Sequence, residues 1–153
     1  MKFALALALS HGARLLVLDE PTSGLDPVFR RELLDLLLEV LQDDGVSILF
    51  STHLTADLDR IADYITLLQA GRVVFSAPKE EMLDRWGLVR GGLELLQHPG
   101  CASFRGVHRH AHGFEAITDD AAAARRSFGD AAVVERPSLE DVVLLTSPEE
   151  HRG

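Results

Sequence analysis

Short apolar runs alternate with amphipathic stretches in the first half of the chain. Four consecutive apolar residues before Asp19 predict a strand over 15–19 that is buried on both faces. A second apolar run predicts a strand over 46–51. Between the strands, apolar residues recur at helical spacing and predict one buried stripe on a helix: Phe29, Leu33, Leu36, Leu37, Val40 and Leu41. Asp26 is the expected N-cap, Pro27 the first helical residue and Gly45 the end.

The neighbouring segments extend this alternation. The pattern predicts a buried helix over 2–10, a helix over 55–62, a hairpin of strands 64–68 and 73–75, and a helix from Pro78 to about Trp86. The order α-β-α-β-α-β-β-α is typical of an α/β fold with a parallel sheet and an antiparallel edge.

The pattern changes near Gly87, where glycine and proline become frequent, and a domain boundary is expected there. Residues 1–87 form the α/β part and residues 88–153 a small α+β region in this interpretation. The expected elements of that region are strands near 103–110 and 114–118, a helix over 120–127 capped by Asp119 or Asp120, a strand over 132–135, and a helix from Ser138 with a Ser138–Asp141 capping box. Residues 147–153 are expected to fray.

Composition narrows the possible partners. The 153 residues carry a formal net charge of −9, which argues against nucleic acid as a partner. The single cysteine, Cys101, excludes an intramolecular disulfide.

Chemistry-bearing side chains follow both predicted parallel strands. Asp19 and Glu20 stand at the end of the first strand, and His53 follows the second. Because the carboxyl ends of parallel strands share one sheet edge, these groups are expected to lie close together. An aspartate there can hold Mg²⁺, directly or through water, and a neighbouring glutamate can polarise an attacking water.

These residues carry a resemblance to a known family. Leu15–Pro21 resembles the Walker B motif of ATP-binding cassette (ABC) ATPases, Ser23–Asp26 resembles their D-loop, and His53 resembles their switch histidine. Gly71-Arg72 in the turn of the hairpin and 136–142 near the end also resemble ABC subunits, the latter those of drug and antibiotic exporters. The resemblance implies a P-loop NTPase-like parallel sheet with flanking helices, incomplete here.

The resemblance also implies a role for each site residue. Asp19 would help to hold Mg²⁺, Glu20 would be the general base, and His53 would contact the γ-phosphate of ATP. Ser23 and Asp26 would lie in the nucleotide-facing loop, with Asp26 at a dimer interface. The implied partners are a second nucleotide-binding domain and a membrane permease, which would hold the subunit at the cytoplasmic face of the cell membrane.

The chain also departs from the family pattern. It contains no G-x-x-x-x-G-K-[ST] loop, no Q-loop glutamine on an upstream strand and no Ser-Gly-Gly-like signature segment. We therefore expect the chain to begin inside the family domain, just after the signature motif, and to be inactive in isolation. The alternatives are a non-transport ABC-family ATPase and a non-enzymatic remnant that acts as an interaction module.

Three alternating histidines in the tail suggest a metal site as a minor hypothesis. His108, His110 and His112 would share one face of a strand, but no carboxylate or cysteine completes a ligand set. A solvated strand face is the favoured interpretation.

Overall fold

The computed structural model describes residues 7, 10 and 12–147. The chain divides into two compact units, Met1–Ala62 and Asp63–Gly153, which are described separately. The helix predicted over 2–10 lies outside the described residues except for Leu7 and Ser10, and so does the expected frayed end beyond Ser147.

The first unit contains a β-α-β arrangement. Strand β1 (Leu15–Asp19) pairs in parallel with β2 (Ser47–Ser51), and helix α1 (Pro27–Val40) connects them. Helix α2 (Thr55–Ile61) follows β2. The predicted parallel pair is therefore confirmed, and its register places Asp19 opposite Ser51.

Helix α1 packs its apolar stripe into the core of this unit. The buried residues are Leu33, Leu34, Leu37 and, from α2, Ile61. Leu36, which was predicted to belong to the stripe, is exposed, whereas Leu34 is buried. The helix ends at Val40 and not near Gly45, because Asp43 donates its backbone N–H to the Val40 carbonyl in a tighter i→i+3 turn.

The prediction that β1 is buried on both faces is wrong for the described chain. Leu16 is buried, but Val17 is 65% exposed, and its neighbour on β2, Leu49, is 61% exposed. Side chains alternate between the faces of a strand, so one face of the β1–β2 sheet packs on the core and the other is open. A continuous apolar run shows which residues suit burial, but not whether a covering layer is present.

The second unit begins with a hairpin. Strand β3 (Tyr64–Gln69) pairs antiparallel with β4 (Arg72–Pro78) around a turn in which Ala70 and Gly71 have φ of 46° and 74°. Helix α3 (Lys79–Arg85) follows, and buried Trp86 packs against Phe75 with ring centroids 5.3 Å apart. The predicted hairpin and helix are confirmed.

The rest of this unit is a four-stranded antiparallel sheet in the order β6-β7-β5-β8. Its strands are β5 (Gly87–Gly91), β6 (Phe104–His110), β7 (Gly113–Thr118) and β8 (Val133–Glu135). Helix α4 (Ala121–Phe128) connects β7 to β8, and helix α5 (Leu139–Thr146) follows β8. Val89, Phe114, Ala116, Ala124 and Phe128 form its core. The predicted N-cap Asp120 and the Ser138–Asp141 capping box are confirmed.

Strand β5 lies at the centre of this sheet and escaped prediction. It starts at Gly87, where an added Cβ would lie 2.9 Å from the Ala121 side chain, so the glycine permits close packing of the strand and α4. Arg90 on β5 donates to Glu115 on β7, and this hydrogen bond raises the pKa of Arg90 above its ordinary value. The change in composition near Gly87 thus coincides with the start of this sheet, whereas the first compact unit ends at Ala62. The proposed division at residue 87 stays a prediction about which part is ABC-like.

Candidate functional site

The parallel pairing brings the ends of β1 and β2 together. Ser51 donates its hydroxyl to Oδ1 of Asp19. The backbone N–H of Glu20 donates to the carbonyl oxygen of Ser51 at 3.0 Å. These bonds extend the pairing of the two strands by one residue. Asp19 and Glu20 therefore both lie at the same edge of the sheet.

Glu20 and His53 meet at this edge. The backbone N–H of His53 donates to Oε1 of Glu20 at 3.0 Å, and its ring Nδ1 lies 2.8 Å from the same oxygen. The other oxygen, Oε2 of Glu20, is buried without a hydrogen-bond partner among the described residues. The sequence-based expectation that these groups lie close together is met.

The backbone of Glu20 is held in an uncommon conformation. Its φ is 45°, in the left-handed region that non-glycine residues adopt at a cost of about 1–2 kcal/mol. Such residues concentrate at functional sites, where the surrounding structure over-determines them. Here the bonds of Glu20 to Ser51 and His53 supply that constraint.

The loop between β1 and α1 holds Ser23 and Asp26. Ser23 donates its backbone N–H to the Glu20 carbonyl at 3.1 Å, and Gly24 has a φ of 71°. Asp26 accepts from the backbone N–H groups of Val28 and Phe29 at 3.1 and 3.0 Å, which confirms the predicted N-cap. Both side chains are exposed, so the loop presents them to solvent beside the strand edge.

Three further residues tie these segments together and were missed from the sequence. Thr22 donates its hydroxyl to Oδ2 of Asp57 at 2.5 Å, and Arg30 donates Nε to Oδ1 of Asp57 at 2.6 Å. Thr22 and Asp57 are each 1% exposed. One clue was available: Asp57 precedes the buried Ile61 by four residues, which places the acid on the inward face of α2.

The site offers oxygen donors that suit a small hard cation. The carboxylate of Asp19 and the hydroxyl of Ser51 are adjacent and exposed at the edge. Within the described residues, no group of three or more His, Cys, Asp or Glu side chains could hold a metal. Magnesium is commonly held by one or two carboxylates together with substrate phosphates, so this sparse donor set fits Mg²⁺ bound with a nucleotide.

The three tail histidines do not share one strand. Strand β6 ends at His110, and His112 lies in the turn before β7. The alternation that suggested a common face therefore breaks at the turn.

The chain is similar to a known protein family and to several known proteins. Residues 2–57 match the family described as "AAA domain, putative AbiEii toxin, Type IV TA system". The Nod factor export ATP-binding protein I of Neorhizobium galegae is 32% identical over 153 aligned positions, which cover 94% of this chain and 44% of that protein. The methionine import ATP-binding protein MetN 1 of Rhodococcus jostii (strain RHA1) is 43% identical over 82 residues, 54% of this chain and 24% of that protein.

The uncharacterized ABC transporter ATP-binding protein YhcH of Bacillus subtilis (strain 168) is 36% identical over 84 residues, 54% of this chain and 28% of that protein. The chain spans less than half the length of these curated relatives.

The fold and these matches define a mixed α/β protein of the P-loop NTPase class. Its homologues are ATP-binding proteins of ABC transporters, and the chain matches part of their length. None of the helices in the described ranges has the length and apolar character needed to cross a bilayer.

Proposed function

We propose that this chain is the part of an ABC transporter ATP-binding subunit that supplies the catalytic carboxylate and the switch histidine. The observation that carries the proposal is the convergence of His53 on Glu20 beside Asp19, at the carboxyl ends of two parallel strands. The homologues are ATP-binding proteins of exporters and importers, which favours transport over a non-transport role.

Asp19 is the proposed contact to Mg²⁺. Its carboxylate is exposed at the sheet edge and accepts a hydrogen bond from Ser51, which orients one oxygen and leaves the other available. Mg²⁺ would be held there through water and the phosphates of ATP, whose charge it would help to neutralise.

Glu20 is the proposed general base. The side chain of Glu20 is 37% exposed and keeps one oxygen without a hydrogen-bond partner among the described residues, so the carboxylate retains the capacity to accept a proton from water. The bond to Ser51 fixes the backbone of Glu20, and the bond from His53 fixes its carboxylate, before any ligand arrives; such preorganisation is a main source of catalytic rate.

His53 is the proposed contact to the γ-phosphate. When Nδ1 donates to Glu20, the ring can also donate from Nε2 only if both nitrogens carry protons. The proposed role thus requires an imidazolium that lies between the Glu20 carboxylate and the phosphate. That arrangement places a positive charge between two negative groups.

The remaining assignments concern partners. Ser23 and Asp26 lie in an exposed loop that would face the nucleotide and a second nucleotide-binding domain. A permease would hold the assembly at the cytoplasmic face of the membrane. Residues 1–87 would form the ATPase part, and residues 88–153 an accessory region.

The phosphate-binding loop is the part that these residues do not provide. The 153 residues contain no G-x-x-x-x-G-K-[ST] segment, whose lysine and backbone N–H groups hold the phosphates in P-loop ATPases. We propose that the chain alone is inactive and that hydrolysis needs this loop from a polypeptide outside the 153 residues.

The test is reconstitution of the ATPase from two polypeptides. The chain is produced alone and together with the portion of the Nod factor export ATP-binding protein I that precedes its region of similarity to this chain, and complex formation is verified by gel filtration. We expect no tight, Mg²⁺-dependent binding of a fluorescent ATP analogue to the chain alone, and ATP hydrolysis by the complex.

Substitutions in the complex assign the chemistry. Glu20→Gln should lower the hydrolysis rate by roughly 10²–10⁴-fold, as expected for loss of a general base. Glu32→Gln, an exposed acid on α1, is the matched control and should leave the rate unchanged. Tight Mg²⁺-dependent ATP binding by the chain alone would contradict the proposed division, and a Glu20→Gln complex as fast as the parent would contradict the assignment of the base.

A further inference from the structure

We propose that Asp57 is a positioning residue whose buried carboxylate, held by Thr22 and Arg30, fixes His53 relative to Glu20. The inference rests on the proposed hydrolytic function, because it concerns the geometry of that site. Asp57 itself touches neither Glu20 nor His53 in the described hydrogen-bond pattern and would act through the segments that carry them.

The connections of Asp57 reach all three segments of the site. Thr22 lies two residues after Glu20, in the loop that leaves β1. Arg30 lies on α1, one helical turn after the capping residue Asp26. Asp57 itself lies on α2, four residues after His53. A single carboxylate therefore joins the three segments that bear the proposed base, the loop aspartate and the phosphate contact.

Because the Thr22–Asp57–Arg30 cluster is buried, it constrains the site more strongly than the exposed contact between His53 and Glu20 does. The carboxylate of Asp57 is 1% exposed, and a buried charge requires partners because its desolvation is costly. The side chain of His53, by contrast, is 67% exposed, and exposed ion pairs contribute little in water. The buried cluster is the better candidate to determine where His53 rests.

The same two helices carry a second ion pair that serves as a matched control. Arg60 on α2 donates to Asp35 on α1, and both side chains are at least one-third exposed. This pair links α1 and α2 as Asp57 does, but it makes no bond to the loop after β1. Removal of Asp35 therefore reports the effect of losing a helix–helix ion pair alone.

The experiment is amide hydrogen exchange of the full chain, followed by NMR without nucleotide. The reporting groups are the backbone N–H of His53, which donates to Glu20, and that of Glu20, which donates to Ser51. Their exchange rates are divided by those of the β1–β2 ladder, so that a general loss of stability cancels. The variants are Asp57→Asn, Thr22→Val and the control Asp35→Asn, with Thr22→Ser to restore the hydroxyl.

Asp57→Asn should raise the normalised exchange of both amides by roughly tenfold, since a hydrogen bond to a charged group is lost. Thr22→Val should act in the same direction, Thr22→Ser should resemble the parent, and Asp35→Asn should leave the ratio unchanged. Equal ratios in Asp57→Asn, Thr22→Val and Asp35→Asn would overturn the proposal, and if Asp57→Asn does not fold, the Thr22 pair decides. Because no nucleotide is present, failure here removes only the positioning role, whereas failure of the reconstituted ATPase removes the proposed function.

Discussion

His53 contacts a single oxygen of Glu20 in two ways. Its backbone N–H donates to Oε1 at 3.0 Å, and its ring nitrogen Nδ1 lies 2.8 Å from the same atom, although the two residues are 33 positions apart. The second oxygen of Glu20 is buried and unpartnered among the described residues. The geometry makes the two side chains one hydrogen-bonded unit, in which His53 orients the carboxylate of Glu20.

Such a unit should behave non-additively. In the reconstituted ATPase, Glu20→Gln and His53→Ala should each reduce hydrolysis strongly, and the double variant should be about as slow as the slower single variant. The reason is that removal of either Glu20 or His53 already breaks the hydrogen-bonded arrangement on which both residues depend. The double-mutant cycle is measured from the steady-state hydrolysis rates of the parent, the two single variants and the double variant. Independent effects that multiply in the double variant would contradict the coupling.

The cap of α1 makes a separate contribution to stability. Asp26 accepts hydrogen bonds from the N–H groups of Val28 and Phe29. Asp26→Ala should lower the free energy of unfolding by about 1 kcal/mol, whereas Asp26→Asn retains the acceptor and should lose much less. Urea denaturation followed by circular dichroism measures both variants. Glu39→Ala, an exposed change near the other end of the same helix, is the control.

The convergence of Asp19, Glu20 and His53 could be anticipated from the sequence because it needs only two parallel strands and their order. Once β1 and β2 pair, their carboxyl ends meet at one edge by geometry. The Thr22–Asp57 bond could not be anticipated in the same way, since it depends on how α2 packs and on which side chain of a short polar helix turns inward.

Two other features could not be predicted from the sequence, for physical reasons. The exposure of Val17 depends on whether a layer covers β1, and no pattern within the strand encodes the presence of that layer. Strand β5 begins and ends in glycine and carries Arg90 in a sequence of five residues, so it has too few alternating positions for a period to be recognised.

The turn of the β3–β4 hairpin contains an avoidable strain. Ala70 has a φ of 46° and is exposed, and residues with a Cβ adopt this region at a cost. Ala70→Gly or Ala70→Asn should therefore raise the free energy of unfolding by about 0.5–1 kcal/mol. Gly71→Ala should do the opposite by about 1 kcal/mol, because Gly71 has a φ of 74° and its Cβ position is open, so the cost is conformational. Thermal unfolding of the three variants checks both directions.

Cys101 should react slowly in the folded chain. Burial raises the pKa of its thiol above the ordinary value, and Sγ donates to the Leu95 carbonyl at 3.2 Å. Because the thiolate is the nucleophile, alkylation by iodoacetamide near pH 8 should be several-fold slower in the native chain than in urea. Cys101 is the single cysteine, so Cys101→Ser should abolish labelling and provides the background.

The direction of this pKa shift also determines how the stability of the native state and the rate of alkylation depend on pH. A thiol whose folded pKa is raised favours the native state below its unfolded pKa, and that contribution is lost as the pH rises through the folded pKa. Native alkylation should thus reach its maximum at a higher pH than alkylation in urea. A native rate profile that coincides with the unfolded one would contradict the effect of burial.

The open face of the β1–β2 sheet should promote self-association of the isolated chain. Val17 and Leu49 are paired neighbours that are 65% and 61% exposed, and within the described residues each strand has one unpaired edge. Exposed apolar faces and free edges favour pairing with further chains. Light scattering should detect oligomers that increase with concentration, and the double variant Val17→Thr with Leu49→Thr should reduce them, since it places polar, β-branched residues, which strands favour, at both positions. Leu144→Thr, at a residue that is exposed on helix α5, is the control and should not change the oligomer fraction. A monodisperse monomer at high concentration would contradict the prediction, because it would mean that this apolar face is covered within the chain.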